Sequence, residues 1–148
     1  MGTEIERKFL LADDSWRAQV HESRRLTQGY LARGDESAIR VRVVGERAEL
    51  NIKQTLDGIN RLEFEYDIPL DDARELLDRV AARPLIDKTR HLVRVGDHLW
   101  EIDQFHGDNA GLLVAEIELG HADESFDRPD WLGDEVSADK RYYNSNLS

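Results

Sequence analysis

The chain has 148 residues, the usual size of one domain and long enough to bury a core without disulfides or structural metal. Its 31 Asp and Glu against 20 Lys and Arg leave a formal charge of -11, which argues against a broad nucleic-acid footprint, and the absence of cysteine excludes a disulfide framework and thiolate metal sites. No apolar run approaches the roughly 20 residues of a membrane-spanning helix, the first residues are charged and unlike a secretory signal, and Glu6 stands where a myristoylation signal needs Ser or Thr, so a soluble cytoplasmic protein is expected.

Taken in chain order, alternation of apolar and charged residues predicts strands at 3–10, near 24–32, and at 38–44, 48–55, 61–68, 89–95, 98–105 and 112–119. Gly45, Gly58 and Gly96 each separate two strands at a spacing suited to antiparallel hairpins. The stretch "LDDARELLDRVAARP" predicts a helix with an Asp cap, Ala73, Leu76, Leu77 and Val80 on one face, and Pro84 as its stop. Shorter helices are expected after Asp13 and near Ser137 or Ala138. No repeat, low-complexity tract or linker interrupts the pattern, so one domain over 1–148 is expected. Eight mainly antiparallel strands with few helices favour a closed or nearly closed β-barrel, which leaves no exposed edge.

The charged parity of these strands is unusually pure. It holds Glu4, Glu6 and Lys8, then Arg40 and Arg42, Lys53, Arg61, Glu63 and Glu65, Lys88 and Arg90, Glu101 and Asp103, and Glu116 and Glu118: eight carboxylates and seven cations. Side chains two apart on a strand share a face, so alternation alone leaves open whether this face meets water or lines an interior. An ordinary solvated face would dilute the charges with Thr, Ser and Gln. If the charged parity points inward, the apolar one, with Ile5, Val41, Ile52, Leu62, Phe64, Leu92, Ile102 and Ile117, packs against helices outside. A lumen so lined needs a highly charged ligand, because burying unpaired ions costs several kcal/mol each. Polyphosphate with a divalent cation satisfies both sets: Arg and Lys hold phosphoryl oxygens, and clustered carboxylates hold a hard ion such as Mg²⁺ or Mn²⁺. No GxxxxGK[ST] loop is present, so side chains must do the phosphate binding.

The opening Glu4-Ile5-Glu6-Arg7-Lys8 resembles the ExExK signature of the CYTH superfamily, the triphosphate tunnel metalloenzymes, and "IRVR", "IK", "RLEFE", "DKTR", "EID" and "EIE" follow in that family's order. The closing "WLGDEVSADKRYYN" is similar to the C-terminus of its small bacterial members, so the resemblance spans nearly the whole chain. It implies an eight-stranded antiparallel tunnel, with a few helices outside, that binds a linear triphosphate and cleaves a phosphoanhydride with metal. Carried over residue by residue, it implies metal binding by Glu4, Glu6, Glu63, Glu65, Glu116 and Glu118, with Asp103 a further candidate. It implies phosphate binding by Lys8, Arg40, Arg42, Lys53, Arg61, Lys88 and Arg90, and polar roles near the site for Tyr30, Lys140 and Arg141. For those last three, aromatic packing and a surface charge pair are the plain alternatives.

Catalysis in such a site is positioning and charge stabilisation, with Lys8 and Lys88 aligning the chain and Glu4, or Glu118 as alternative, orienting a water. His21, His91, His98, His106 and His121 match no metal-ligand spacing. The expected activity is metal-dependent hydrolysis of inorganic tripolyphosphate, since a short chain leaves few residues for a nucleoside pocket. Class IV adenylate cyclase, thiamine triphosphatase and a non-catalytic polyphosphate-binding module follow in that order. The expected partner is a triphosphate-bearing small molecule, without nucleic acid or membrane; the sequence does not choose between monomer and homodimer.

Overall fold

The computed structural model describes residues 2–57 and 59–147, so the expected turn at Gly58 lies outside the described residues. In chain order the strands are β1 (Gly2–Leu11), β2 (Glu22–Arg33), β3 (Ser37–Val44), β4 (Arg47–Asp57), β5 (Asn60–Asp67), β6 (Ile86–Val95), β7 (His98–Phe105), β8 (Leu113–Glu118) and β9 (Leu132–Glu135). Helix α1 (Leu70–Arg79) lies between β5 and β6, and the short α2 (Asn144–Leu147) follows β9. Eight antiparallel strands run β5-β4-β3-β2-β6-β7-β8-β1 and close through β1 and β5, with β9 added beside β1.

Two of the hairpins turn on glycine. Gly45 and Gly96 hold φ of 59° and 60° between strand ends paired at Val44 with Arg47 and at Val95 with His98. Among the described residues only glycine has positive φ, so these two-residue loops are of the II′ kind, whose twist suits a hairpin.

Much of the apolar parity packs outside, in two patches, whereas Ile52, Leu62 and Phe64 are half-buried and belong to neither. On the first, Phe9, Trp16, Trp100, Ile102, Ile117 and Trp131 are buried together, with Trp100 edge-on to both Phe9 and Trp131 at 5.6 Å. Trp16 comes from a 3-10 turn at Ser15–Gln19, which is the short helix expected after Asp13. Trp131 fastens the acidic 120–130 loop to this patch and delivers β9 to β1. On the second, Val41 and Ala48 meet Ala73 and Leu77 of α1. The expected Asp cap of α1 is absent: Pro69 occupies the cap position, and Asp71 and Asp72 lie in the first turn, where their charge favours the helix N-terminus. The helix also stops at Arg79, short of Pro84. The chain beyond it lies flat on β2 because Gly29 has no side chain; a Cβ there would stand 2.7 Å from Leu85 Cδ2 and 2.8 Å from Ala81 Cβ.

Two features of the interior differ from expectation. Leu92, expected outside, shares the parity of Lys88 and Arg90 and stands opposite Glu101. The lumen is also not polar throughout. Tyr30, Ile86, Phe105 and Val114 pair across strands with Arg40, Gln28, Lys88 and Asp103, so they share the inward face, and they fill one end of the barrel with an apolar plug. Tyr142 and Leu147 of the C-terminal segment complete that plug.

The barrel is closed by a short seam, in which Gly2–Ile5 pairs with Asn60–Glu63. Phe9 pairs with Ala115 of β8 and Glu135 of β9, so β9 continues the edge that β5 leaves. Past β9 the chain stays on that edge: Val136 N–H donates to Lys8 O at 2.8 Å, and Lys8 N–H donates to Ser137 Oγ at 2.9 Å. The expected helix near Ser137 appears as a 3-10 turn at Lys140–Tyr142 followed by α2. No described helix is long and apolar enough to cross a membrane.

Candidate active site

The inward charged parity surrounds a cavity of about 260 Å³. Glu4, Glu6 and Lys8 reach it from β1, Arg40 and Arg42 from β3, Lys53 from β4, and Arg61, Glu63 and Glu65 from β5. Arg90, Glu116, Glu118 and Tyr30 complete the expected residues that line it. Four others do not. Asp103 and Lys88 are fully buried outside the lining: Asp103 Oδ1 accepts from Arg90 Nε at 2.8 Å, and Oδ2 from Arg90 Nη2 at 3.0 Å and from Lys88 Nζ at 2.7 Å. With both oxygens held by cations, Asp103 anchors bases instead of offering a metal ligand. Lys88 also donates to Asn144 Oδ1 at 3.3 Å. Lys140 and Arg141 are exposed, and Arg141 forks onto Asp139, which is the surface-pair alternative.

Several lining residues have no role in the sequence reading. Glu101, Asn51 and Thr55 lie on the inward parity of β7 and β4, where that signal was available. The Gly34–Ser37 bend, Tyr143 and Asn144 also line the cavity, and no strand pattern announces them. Tyr143 places its ring 5.7 Å from Lys8 Nζ and 5.3 Å from Arg61 Cζ, a distance suited to cation–π attraction. Lys8 Nζ donates to Tyr142 O at 3.3 Å, so the C-terminal segment is tied to the ExExK lysine.

The acids fall into two groups. Burial would raise Glu116, but Lys8 and Arg90 hold its carboxyl well below the usual range, with Lys8 Nζ at 3.5 Å and Arg90 Nη2 at 3.7 Å. Asp103 is kept ionised in the same way by Arg90 and Lys88. Because Asp103 is shared, Lys88 is the less compensated partner, and burial pushes its ammonium down to about 8. The other acids are crowded by one another. Burial and the Glu116 charge push Glu6 up to about 7, although Arg61 Nη1 lies 4.0 Å away. Glu4 is raised by burial and by a hydrogen bond with Glu63, against the pull of Lys53 at 3.1 Å. Glu118 is raised by burial and by Glu4 and Glu101; Glu65 is raised by its hydrogen bond with Glu49 and by burial. The cations show the converse: burial, then Arg40 and Arg90, push Arg42 down to about 10.

This donor set suits a hard divalent cation, since every ligand is a carboxylate oxygen and none is sulfur or imidazole. Glu4, Glu63, Glu65 and Glu118 open together on a second recess beside Gly2 and Thr3. Among the described residues no three acids converge on one point, because Glu4 is turned to Lys53 and Glu6 to Arg61. The chemistry of the donors fits a metal ion, and rotation of these glutamates toward it is required.

A closed antiparallel barrel whose cavity is lined by carboxylates and cations together defines a class of receptor for small polyanions. The family model for the CYTH domain matches residues 2–148, and the chain belongs to that family. An inorganic triphosphatase of Acetivibrio thermocellus is 42% identical over 147 residues, covering 99% of this chain and 94% of that protein. An inorganic triphosphatase of Nitrosomonas europaea is 35% identical over 150 residues, covering 99% and 97%. The crystal structure of an inorganic triphosphatase superposes with a TM-score of 0.68 at 34% identity, covering 99% of this chain and 95% of that one. A putative adenylate cyclase from Bacillus halodurans, at 15% identity and a TM-score of 0.65 over 82% of this chain and 83% of that one, shares the fold.

Proposed function

We propose that this protein hydrolyses inorganic tripolyphosphate with the help of Mg²⁺ or Mn²⁺, releasing orthophosphate and pyrophosphate. The observation that carries the reading is one small cavity lined by six bases together with a set of acids raised by burial and by one another. Lys8, Arg40, Arg42, Lys53, Arg61 and Arg90 bind phosphoryl oxygens and align the chain. Glu4, Glu6, Glu63, Glu65, Glu116 and Glu118 would hold metal, which when bound neutralises phosphoryl charge and makes a water more acidic. Glu4, or Glu118 beside it, would orient a water in line with the scissile P–O bond and take its proton. Lys88 and Asp103 act behind the cavity wall as positioning residues for Arg90. The only aromatic side chains among the lining residues are Tyr30 and Tyr143, which leaves little to stack a nucleobase or thiamine ring.

The test is phosphate and pyrophosphate release from tripolyphosphate, ATP and thiamine triphosphate with Mg²⁺ or Mn²⁺, together with a cyclic AMP assay. The reading expects tripolyphosphate to give the highest kcat/KM, no cyclic AMP, and no turnover in excess chelator. Cyclic AMP as main product from ATP, or chelator-resistant turnover, overturns it.

A further inference from the structure

Six cations line the cavity, and five already have a carboxylate within 4.0 Å: Lys8 with Glu116, Arg42 with Glu49, Lys53 with Glu4 and Glu63, Arg61 with Glu6, and Arg90 with Asp103, Glu101 and Glu116. Arg40 is the exception among the described residues. Its partner is a neutral amide: Nε and Nη2 donate to Asn51 Oδ1 at 3.1 and 3.0 Å. Arg40 and Asn51 are directly opposite on β3 and β4 and are 4% and 1% exposed. Two guanidinium donors need an acceptor, so the amide oxygen must face Arg40 and the NH₂ must face away. That Nδ2 is buried without a hydrogen-bond partner, and Asn51 is part of the cavity wall. A guanidinium with no carboxylate partner and an unanswered amide donor thus stand side by side on two residues that line the cavity.

We propose that Asn51 is a substrate-binding residue that sets affinity for the phosphate chain in two ways: its oxygen orients Arg40 without neutralising it, and its NH₂ donates to a phosphoryl oxygen. The choice of amide over carboxylate is the determinant. An Asp here would hold Arg40 equally well in shape but would cancel its charge and face the anion with a second negative oxygen. The inference rests on the polyphosphate reading of the same cavity.

The experiment compares wild type, Asn51→Asp and Asn51→Ala for KM and kcat on tripolyphosphate with Mg²⁺, with thermal unfolding alongside. Asn51→Asp is expected to raise KM about 30-fold or more with kcat within about 3-fold, while its unfolding midpoint stays at or above wild type because an ion pair with Arg40 forms. Asn51→Ala is expected to raise KM less than Asn51→Asp. A residue that merely packs against Arg40 would tolerate the isosteric Asp better than Ala, so the reverse order, or a wild-type KM for Asn51→Asp, overturns the proposal. Wild-type turnover tests the polyphosphate reading separately. If wild type does not turn over, the same ordering is expected in the Kd of tripolyphosphate as a passive ligand, and equal or undetectable binding by all three proteins overturns the inference.

Discussion

At Glu4 the two readings of the opening strand separate cleanly. A solvated surface glutamate would sit free in water, yet Glu4 is half-buried, bonded to Lys53 and raised by Glu63. Glu4→Gln keeps the shape and removes the charge, so kcat at saturating metal is expected to fall about 10²-fold or more if Glu4 takes the proton of the attacking water. The metal-free protein should unfold at the same temperature or higher, since one member of a repelling cluster is gone. Turnover near wild type at saturating metal would pass the base role to Glu118. Lys88 makes a contrasting case. Its parity matches Arg90, and from sequence the two look alike; parity tells which face a side chain occupies, not how deep along the barrel it sits. The ammonium is fully buried on Asp103, so Lys88→Met should appear first in stability, with a loss of about 2 kcal/mol in urea unfolding, because Asp103 loses one charge-assisted hydrogen bond while Arg90 still balances its charge. Wild-type stability with a large rise in KM would show instead that Lys88 touches substrate.

For whole elements, eight strands were legible because alternation is written locally and repeats along each segment. The ninth was not: "LGDE" carries no alternation worth reading, and β9 forms only because Trp131 is drawn into a patch built from β1, β6, β7 and β8. The closing segment was likewise invisible as site structure, since Tyr143 and Asn144 reach the cavity through a turn and not a strand. The apolar spacing of helix α1 shows the helix but not its start, because Asp favours both the cap and the first turn. How it docks yields a test. Gly29→Ala places a methyl against Leu85 and Ala81, which must shift for it, so a loss of about 1–3 kcal/mol is expected from overpacking in equilibrium unfolding. Unchanged stability would mean that the segment after α1 is held loosely on β2.

For the molecule as a whole, the crowded acids set an unusual pH dependence. A carboxyl whose folded-state pKa exceeds its unfolded one binds more protons when folded, so stability falls as pH rises between the two values. For Glu6 that window runs from the usual 4.5 to about 7, and Glu4, Glu65 and Glu118 shift in the same direction. Asp103 and Glu116 act oppositely, but below the usual carboxylate range, where acid removes the stability that they contribute. The unfolding midpoint of the chelated protein is therefore expected to drop from pH 5 to pH 8, and Mg²⁺ or Mn²⁺ should flatten the slope. A chelated profile that is level or rising across that range would show that the cluster is not strained by its own charge.

The seam between Gly2–Ile5 and Asn60–Glu63 has a consequence for how this barrel breathes. Glu4 and Glu6 stand on one side of it, and Arg61, Glu63 and Glu65 on the other, so the cavity is whole only while the seam is shut. The seam is also brief, and its amides are expected to exchange with deuterium through local opening well before those of the longer β6–β7 ladder. A bound polyanion with its metal would span both banks and act as a clasp. At 100 times its dissociation constant such a ligand adds roughly 2.7 kcal/mol against any opening that abolishes binding, which corresponds to about a hundredfold slowing of exchange at the seam. The ladder far from the cavity would keep its own rate wherever it exchanges by openings that leave the site intact.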